Sequence, residues 1–219
     1  MFSQSHIGQV EVEIASGKHS LKATLSPPGA VPGLVIFAHG SGSSRFSSRN
    51  RFVASCLQEA GMGTLLLDLL EASEEQDRKK VFDVRLLARR LQDAADWVRQ
   101  QPDCRHWRLG YFGASTGAAA ALIAAAGDPE NVAAVVSRGG RPDLAADCLH
   151  QVGSPTLLIV GGNDDVVIDL NEQALALLNC PKEMVIIPGA THLFPEPGAL
   201  EEVARLATEW FLRYLAPSS

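Results

Sequence analysis

A serine flanked by glycines occupies the middle of the chain, in residues 113–117 with the sequence GASTG. This run matches the pattern G-x-S-x-G, in which a strand turns sharply into a helix and a strained backbone exposes the serine hydroxyl. The apolar residues 109–112 and the alanine-rich residues 118–126 supply the strand and the helix that the pattern requires. A pentapeptide of this kind also arises by chance, but in this setting it predicts that Ser115 is a nucleophile.

An acid and a base follow later in the chain. Asp164 and Asp165 come after the apolar residues 156–160, and His192 comes after the apolar residues 184–187. The order serine, acid, histidine is that of a triad in which the histidine accepts the serine proton and the carboxylate orients the imidazole. Taken singly, an aspartate in such a loop caps a turn and a loop histidine is solvated. Together, at the ends of three strands, they predict a catalytic triad.

A loop of small residues follows the apolar residues 34–38 and has the sequence HGSGSS over residues 39–44. Its small side chains let a backbone N–H, that of Ser41, approach a reacting carbonyl. With the N–H of Thr116 it would form a two-donor oxyanion hole. A phosphate-binding loop is the alternative, but no G-x-x-x-x-G-K-[ST] pattern follows and no lysine is near.

These loops must be positioned by an alternation of short apolar runs and longer amphipathic runs, which predicts βαβ units and a parallel sheet covered on both faces. An antiparallel hairpin opens the chain, and the fold class is doubly wound α/β. The predicted strands are residues 10–14, 19–25, 34–38, 64–70, 108–112, 132–137, 156–160 and 184–187. The predicted helices are residues 48–60, 81–100, 116–126, 143–151, 170–178 and 200–215.

Composition constrains the number of domains, the binding partners and the location of the protein. The chain has 219 residues, a formal charge of −6 and no repeat or linker, so we expect a single domain over residues 1–219 without a basic face for nucleic acid. No apolar stretch is long enough to span a bilayer, and the four cysteines are far apart. These features predict a cytoplasmic protein that binds neither membrane nor nucleic acid. They leave monomer and homodimer open.

The motifs together resemble the α/β-hydrolase superfamily, in particular its small dienelactone hydrolase-like branch. They are His39-Gly40, residues 113–117, residues 161–164 and His192. The resemblance implies an eight-stranded, mostly parallel sheet and hydrolase chemistry, and the family pattern G-x-x-D favours Asp164 over Asp165. Dienelactone hydrolases proper have a cysteine where this chain has Ser115. That departure resembles the carboxylesterases and acyl hydrolases, so the lactone substrate is not carried over.

The resemblance implies acyl transfer in two steps. Ser115 attacks a small-molecule ester or thioester, His192 moves the proton, Asp164 holds the imidazole, and water clears the acyl-serine. No metal and no organic cofactor is needed. Two other functions stay open: a non-catalytic binding or interaction module of the same fold, and an acyltransferase with the same triad.

Substrate recognition is less defined by the sequence. Only residues 138–143 and one short helix separate the sixth and seventh predicted strands, where members of this fold often insert a lid, so we expect an open site. Arg138 and Arg141 follow a strand end and would suit an anionic substrate group, as would the three arginines at positions 45, 49 and 51. Alternatively, these arginines pair with nearby acids. The charge-rich residues 71–80 are expected to form a solvated face.

Overall fold

In the computed structural model, which describes residues 8–102, 104 and 106–216, eight strands form one sheet. The strands are β1 (Val10–Ser16), β2 (His19–Ser26), β3 (Gly33–Ala38), β4 (Gly63–Leu67), β5 (Arg108–Ala114), β6 (Val132–Arg138), β7 (Thr156–Gly161) and β8 (Lys182–Ile187). Their order across the sheet is β1-β2-β4-β3-β5-β6-β7-β8. The first two strands are antiparallel and the rest are parallel, which confirms the predicted fold class and the opening hairpin.

Helices cover both faces of this sheet. They are α1 (Ser48–Glu59), α2 (Arg78–Val81), α3 (Val84–Gln100), α4 (Thr116–Ala126), α5 (Asp165–Leu177) and α6 (Ala199–Leu215). One apolar core lies between the sheet and α3, α4 and α5, and a second lies between the sheet and α1 and α6. β3 and β5, the central strands, have no exposed residue apart from Arg108, as expected for strands buried on both faces. In the described part of the chain, no helix is long and apolar enough to cross a membrane.

The helix boundaries differ from the predicted ones where side chains compete with the apolar pattern. The predicted helix 81–100 is divided at Asp83, which accepts a hydrogen bond from Leu86 N at 2.9 Å and so starts α3 anew. α5 begins at Asp165, five residues before the predicted start. The start was predicted too late because three β-branched residues with low helix propensity follow Asp165: Val166, Val167 and Ile168.

The connection between β6 and β7 carries no lid. Where a single short helix was predicted over residues 143–151, the chain forms two 3-10 helices, Pro142–Ala145 and Leu149–Gln151. Both pack against α4 and α5, on the side of the sheet away from α1 and α6. The opening to the carboxyl ends of the strands therefore stays uncovered by this connection.

Residues 71–80 are mostly exposed, as their charges predict, but Glu74 is buried. Glu74 is only 3% exposed and forms an ion pair with the buried Arg90 at 2.6 Å. Arg90 also donates to the carbonyl of Leu69 at 2.7 Å, and Lys80 approaches the same carboxylate at 3.0 Å. Hydrogen bonding by Arg90 lowers the pKa of Glu74 to about 2. A buried charge pair thus fastens this segment to α3.

Removal of the Glu74 charge should destabilise the fold strongly. Glu74→Gln leaves Arg90 buried without its counter-ion, which typically costs about 3–5 kcal/mol of unfolding free energy. Urea unfolding at pH 7 measures the loss, and the exposed neighbour Glu75→Gln should change stability by less than about 0.5 kcal/mol.

The same pair should make stability depend on acid pH. Because the carboxyl binds protons more readily in the unfolded chain, its contribution of about 3 kcal/mol is complete above about pH 4.5 and is lost as the pH falls towards 2. Equal stability losses in acid for the wild type and Glu74→Gln would contradict this assignment.

Candidate active site

Ser115 lies at the turn between β5 and α4, with backbone angles φ 52° and ψ −121°. A left-handed φ is uncommon for a residue with a side chain and costs free energy, so the surroundings must impose it. They do so through close backbone packing on both sides. A Cβ on Gly113 would overlap the backbone of Ala118, and a Cβ on Gly117 would overlap the carbonyl of Ala38. The two glycines of the motif are therefore required because a larger residue would not fit, and Ser115 is the residue that adopts the strained backbone conformation.

His192 lies between Ser115 and Asp164. Its Nδ1 donates to Asp164 Oδ2 at 2.6 Å, and its Nε2 lies 3.4 Å from Ser115 Oγ. The second distance is at the long end for a hydrogen bond, and such contacts shorten when substrate is bound. The structure therefore brings together the three residues predicted from the sequence, at the carboxyl ends of β5, β7 and β8.

Asp164 occupies the N-cap position of α5, yet its side chain makes no capping hydrogen bond because it faces His192. Its neighbour Asp165 is already inside the first turn of the helix. Backbone bonds tie the loop of the acid to the loop of the histidine: Gly162 N donates to Ile187 O at 2.8 Å and Asn163 N to Ala190 O at 2.9 Å. These main-chain hydrogen bonds set the distance between the loop that carries Asp164 and the loop that carries His192.

Gly139, which sequence reasoning did not single out, packs against the histidine. Its φ is +52°, and a Cβ there would lie 3.0 Å from the His192 carbonyl oxygen and 3.6 Å from Cε1 of the ring. The loop after β6 therefore packs against the imidazole ring of His192. In the sequence, the glycine pair Gly139-Gly140 directly after the predicted sixth strand is the feature that could have indicated this close packing.

The loop after β3 is held by a buried histidine. His39 Nδ1 donates to Gly40 O at 2.9 Å, and its Nε2 accepts from Leu69 N at 3.1 Å. This pattern requires a neutral ring, and burial lowers the pKa of His39 accordingly. Since the Gly40 carbonyl is turned towards His39, the next amide, that of Ser41, points the other way.

The two predicted oxyanion donors differ in their present partners. Ser41 N donates to Thr116 Oγ1 at 2.9 Å, whereas the N–H of Thr116 has no acceptor among the described residues. Thr116 N is the first amide of α4, where the helix dipole favours negative charge. The Ser41 amide would have to exchange the threonine hydroxyl for an oxyanion.

A cavity of about 240 Å³ opens in front of the serine. Its lining combines polar and apolar surface and carries no carboxylate: Gly40, Ser41, Ser43, Ser47, Arg49, Asn50, Ala114, Ser115, Arg138, His192 and Leu193. A second cavity of about 490 Å³ adjoins it along the oxyanion loop and is partly apolar, with Phe46, Leu70, Val81 and Leu87 in its wall. A larger one, of about 850 Å³, lies along α3 and lacks all three triad residues.

The arginines named from the sequence separate into two groups. Arg138 lines the cavity at Ser115, but Arg141 does not, because Asp143 holds its guanidinium with two hydrogen bonds of 2.8 Å. Arg45 is likewise occupied by the carboxylate of Asp68. Arg49, by contrast, lines the cavity with Arg138.

A strained serine at a strand-to-helix turn, followed along the chain by its acid and base, is the arrangement that distinguishes the α/β-hydrolases, and this protein is one of them. The model of the dienelactone hydrolase family matches residues 21–215, and the chain belongs to that family. Membership supports hydrolase activity.

Known proteins agree with this assignment. The crystal structure of a dienelactone hydrolase from Anabaena variabilis is 55% identical, covers 96% of this chain and all of its own, and superposes with a TM-score of 0.93. A Xanthomonas campestris serine hydrolase described as having no lid, 20% identical over 100% of this chain and 99% of its own, has a TM-score of 0.78 and shares the fold.

A Mycobacterium tuberculosis protein, named provisionally as a phosphoribosyl transferase, is 55% identical over 94% of this chain. The chain spans only 46% of that relative's length.

Gly139→Ala should impair the site by displacing His192. The added methyl group would press on the histidine carbonyl and ring, so we expect kcat/KM for an ester to fall about 10- to 100-fold, the upper figure being the cost of misplacing a catalytic group by about 1 Å. Gly198→Ala is the matched control, because Gly198 also has a positive φ, +82°, but open space around it. Both variants bear the cost of a positive φ, and Gly139→Ala should lose more stability because of its added contacts; equal kinetic effects would contradict the steric argument.

Proposed function

We propose that this protein is a carboxylesterase-like serine hydrolase that cleaves small acyl esters or thioesters through an acyl-serine intermediate. The observation that carries the proposal is the position of His192, 2.6 Å from Asp164 and 3.4 Å from the Ser115 hydroxyl. A serine is a weak nucleophile without such a base. This geometry gives it one, at the edge of a cavity that admits a substrate.

In the proposed reaction, Ser115 Oγ attacks the substrate carbonyl as His192 Nε2 takes the hydroxyl proton, and the Asp164 carboxylate stabilises the imidazolium. The tetrahedral oxyanion accepts hydrogen bonds from the Thr116 and Ser41 amides. Collapse breaks the bond to the alcohol or thiol, which leaves with the proton from His192. Water then attacks the acyl-serine and gives a proton to His192; the bond between the acyl carbon and Ser115 Oγ breaks, His192 returns the proton to Oγ, and the acid product leaves.

The size of the acyl group follows from the cavity. A volume of about 240 Å³ suits a short acyl chain, and the connection between β6 and β7 adds no cover. The adjoining partly apolar cavity of about 490 Å³ is the natural place for the leaving group. An acyltransferase would use the same first step and differ only in what removes the acyl group.

Phosphoribosyl transfer, which the name of the mycobacterial relative mentions, is not proposed for this site. A nucleophile paired with a base suits acyl chemistry, in which a covalent intermediate forms. We also propose a cytoplasmic location. The free thiols of Cys56, Cys148 and Cys180, whose pKa values are raised by burial, support it because they fit a reducing compartment.

Covalent labelling with a fluorophosphonate tests the proposal without a choice of substrate. Such probes react with a serine that a base activates, so we expect one adduct, mapped to Ser115 by peptide mass spectrometry and absent from Ser115→Ala. Asp164→Asn should slow labelling by about 10⁴-fold, since the acid sets the tautomer of His192. A folded protein without an adduct would favour the binding-module alternative. An adduct on Ser43 or Ser47, which line the same cavity, would contradict the choice of nucleophile.

The oxyanion donors are tested at Thr116. Thr116→Val removes the hydroxyl that occupies the Ser41 amide and keeps the Thr116 amide, while His39 still orients the Gly40 carbonyl. Because one neutral hydrogen bond of about 1 kcal/mol no longer has to be displaced, kcat/KM for p-nitrophenyl acetate should rise about fivefold. Thr116→Ser keeps the hydroxyl and should stay near the wild type. A hundredfold fall in Thr116→Val would mean that the hydroxyl itself is required.

A further inference from the structure

Arg138 is a buried cation without a counter-ion. It is the last residue of β6, only 5% exposed, and its backbone carbonyl accepts a hydrogen bond from Ser115 N at 3.2 Å. Its side chain reaches the cavity in front of the serine, and among the described residues it has no ion pair or hydrogen-bond partner. Burial and the nearby Arg49 lower the pKa of Arg138 to about 10, so the guanidinium is still charged at neutral pH.

Arg49 faces the same cavity from the other side. It is the second residue of α1, and its buried Nε is unpartnered, as is the buried Oδ1 of Asn50 next to it. Ser47 caps α1 by accepting from Asn50 N at 3.4 Å, but the first turn of the helix contains no acidic residue, so no negative charge faces its positive end. Two guanidiniums and a helix N-terminus thus meet in a cavity without a carboxylate.

The other arginines that the structure describes are either paired with a carboxylate or exposed, the exposed and unpaired ones being Arg51, Arg78, Arg89 and Arg108. Those paired with a carboxylate are Arg45, Arg85, Arg90, Arg99, Arg141, Arg205 and Arg213. Burial of an unpaired charge costs several kcal/mol, and two like charges facing one cavity add repulsion. The described arginines without a carboxylate partner are otherwise exposed, so Arg138 and Arg49 are set apart by being at least partly buried, a stability cost that proteins accept at functional sites.

Phe194 keeps the Arg138 guanidinium in place. Its ring is fully buried beneath the guanidinium, with 5.9 Å between the Arg138 Cζ and the ring centroid. This position requires a left-handed backbone, φ +55°, at Phe194. A core aromatic ring with a strained backbone thus lies within cation–π range of an unpaired guanidinium.

We propose that Arg138 and Arg49 bind an anionic oxygen group of the substrate, a carboxylate or a phosphate monoester, close to the carbonyl that Ser115 attacks. This inference rests on the proposed acyl hydrolase function. Guanidinium groups bind such anions with charge-assisted, often bidentate hydrogen bonds. The bound anion would supply the counter-charge that the protein lacks there, and would orient the ester.

The experiment compares two esters with the same leaving group, p-nitrophenyl acetate and mono-p-nitrophenyl succinate. We expect the ratio of kcat/KM, anionic over neutral, to fall about 10- to 100-fold in Arg138→Met and in Arg49→Met, the loss of a charge-assisted hydrogen bond. The control Arg51→Met removes the same charge from an exposed position on α1 outside the cavity. A ratio unchanged in both cavity variants, or reduced equally in the control, would overturn the proposal.

Inhibition distinguishes the two anions. Inorganic phosphate and succinate are tested as competitive inhibitors of p-nitrophenyl acetate hydrolysis by the wild type and by Arg138→Met. Inhibition by phosphate that the variant loses assigns the site to a phosphate monoester, and the same result with succinate assigns it to a carboxylate. No inhibition by either anion, or inhibition that the variant retains, would overturn the site.

Two further readouts separate this proposal from the proposed function. If the wild type neither reacts with a fluorophosphonate nor cleaves either ester, calorimetric titration with phosphate and succinate still tests the anion site, and absence of binding overturns it. Thermal unfolding tests the energetic argument: Arg138→Met should raise the Tm by about 2–4 °C, because an unpaired buried charge is removed. A purely structural arginine would lower the Tm instead.

Discussion

The left-handed backbone of Ser115 is the constraint on which the rest of the site depends. It exists because three segments of main chain, the ends of β3 and β5 and the start of α4, approach so closely that Gly113 and Gly117 have no room for a Cβ. Hydrogen bonds from neighbouring loops then hold the serine from both sides. Ser115 N donates to Arg138 O, and Ser115 O accepts from Arg141 N at 3.1 Å. The strain persists because the surrounding main chain leaves no alternative.

The parallel sheet brings the acid and the base of the candidate triad next to this strained serine. Adjacent strands end at the same edge, so the loops after β5, β7 and β8 meet without long connections. Main-chain bonds between the loops position Asp164 and His192 relative to each other, and Gly139 limits where the imidazole can lie. The buried pair Glu74–Arg90 performs a similar task at a distance, since it fixes the segment whose Leu69 amide binds His39.

Much of this arrangement could be predicted from the sequence. The strands, their parallel pairing, and the candidates Ser115 and His192 follow from apolar periodicity and from residues at strand ends, and the resemblance to a known family added the choice of Asp164 over Asp165. Contacts between segments far apart in the chain could not be predicted. The pairing of Arg141 with Asp143, two residues on, is local and agrees with the alternative that these arginines pair with nearby acids, whereas the sequence could not show that no carboxylate reaches the cavity lined by Arg138. Charge density predicted correctly that most of residues 71–80 are exposed, but it could not show that Glu74 is buried, because its partner Arg90 lies 16 residues away.

The position of Asp164 has a consequence for how this fold diversifies. An aspartate at an N-cap normally stabilises its helix by about 1 kcal/mol, but here the carboxylate is turned to a histidine and the first turn of α5 is left uncapped. A descendant in which this side chain turned back to the helix would gain stability and lose the orientation of its histidine. Where selection for catalysis is relaxed, variants of this scaffold that are more stable and inactive would therefore be favoured. Loss of catalysis in this architecture would then be accompanied by a gain in folding stability.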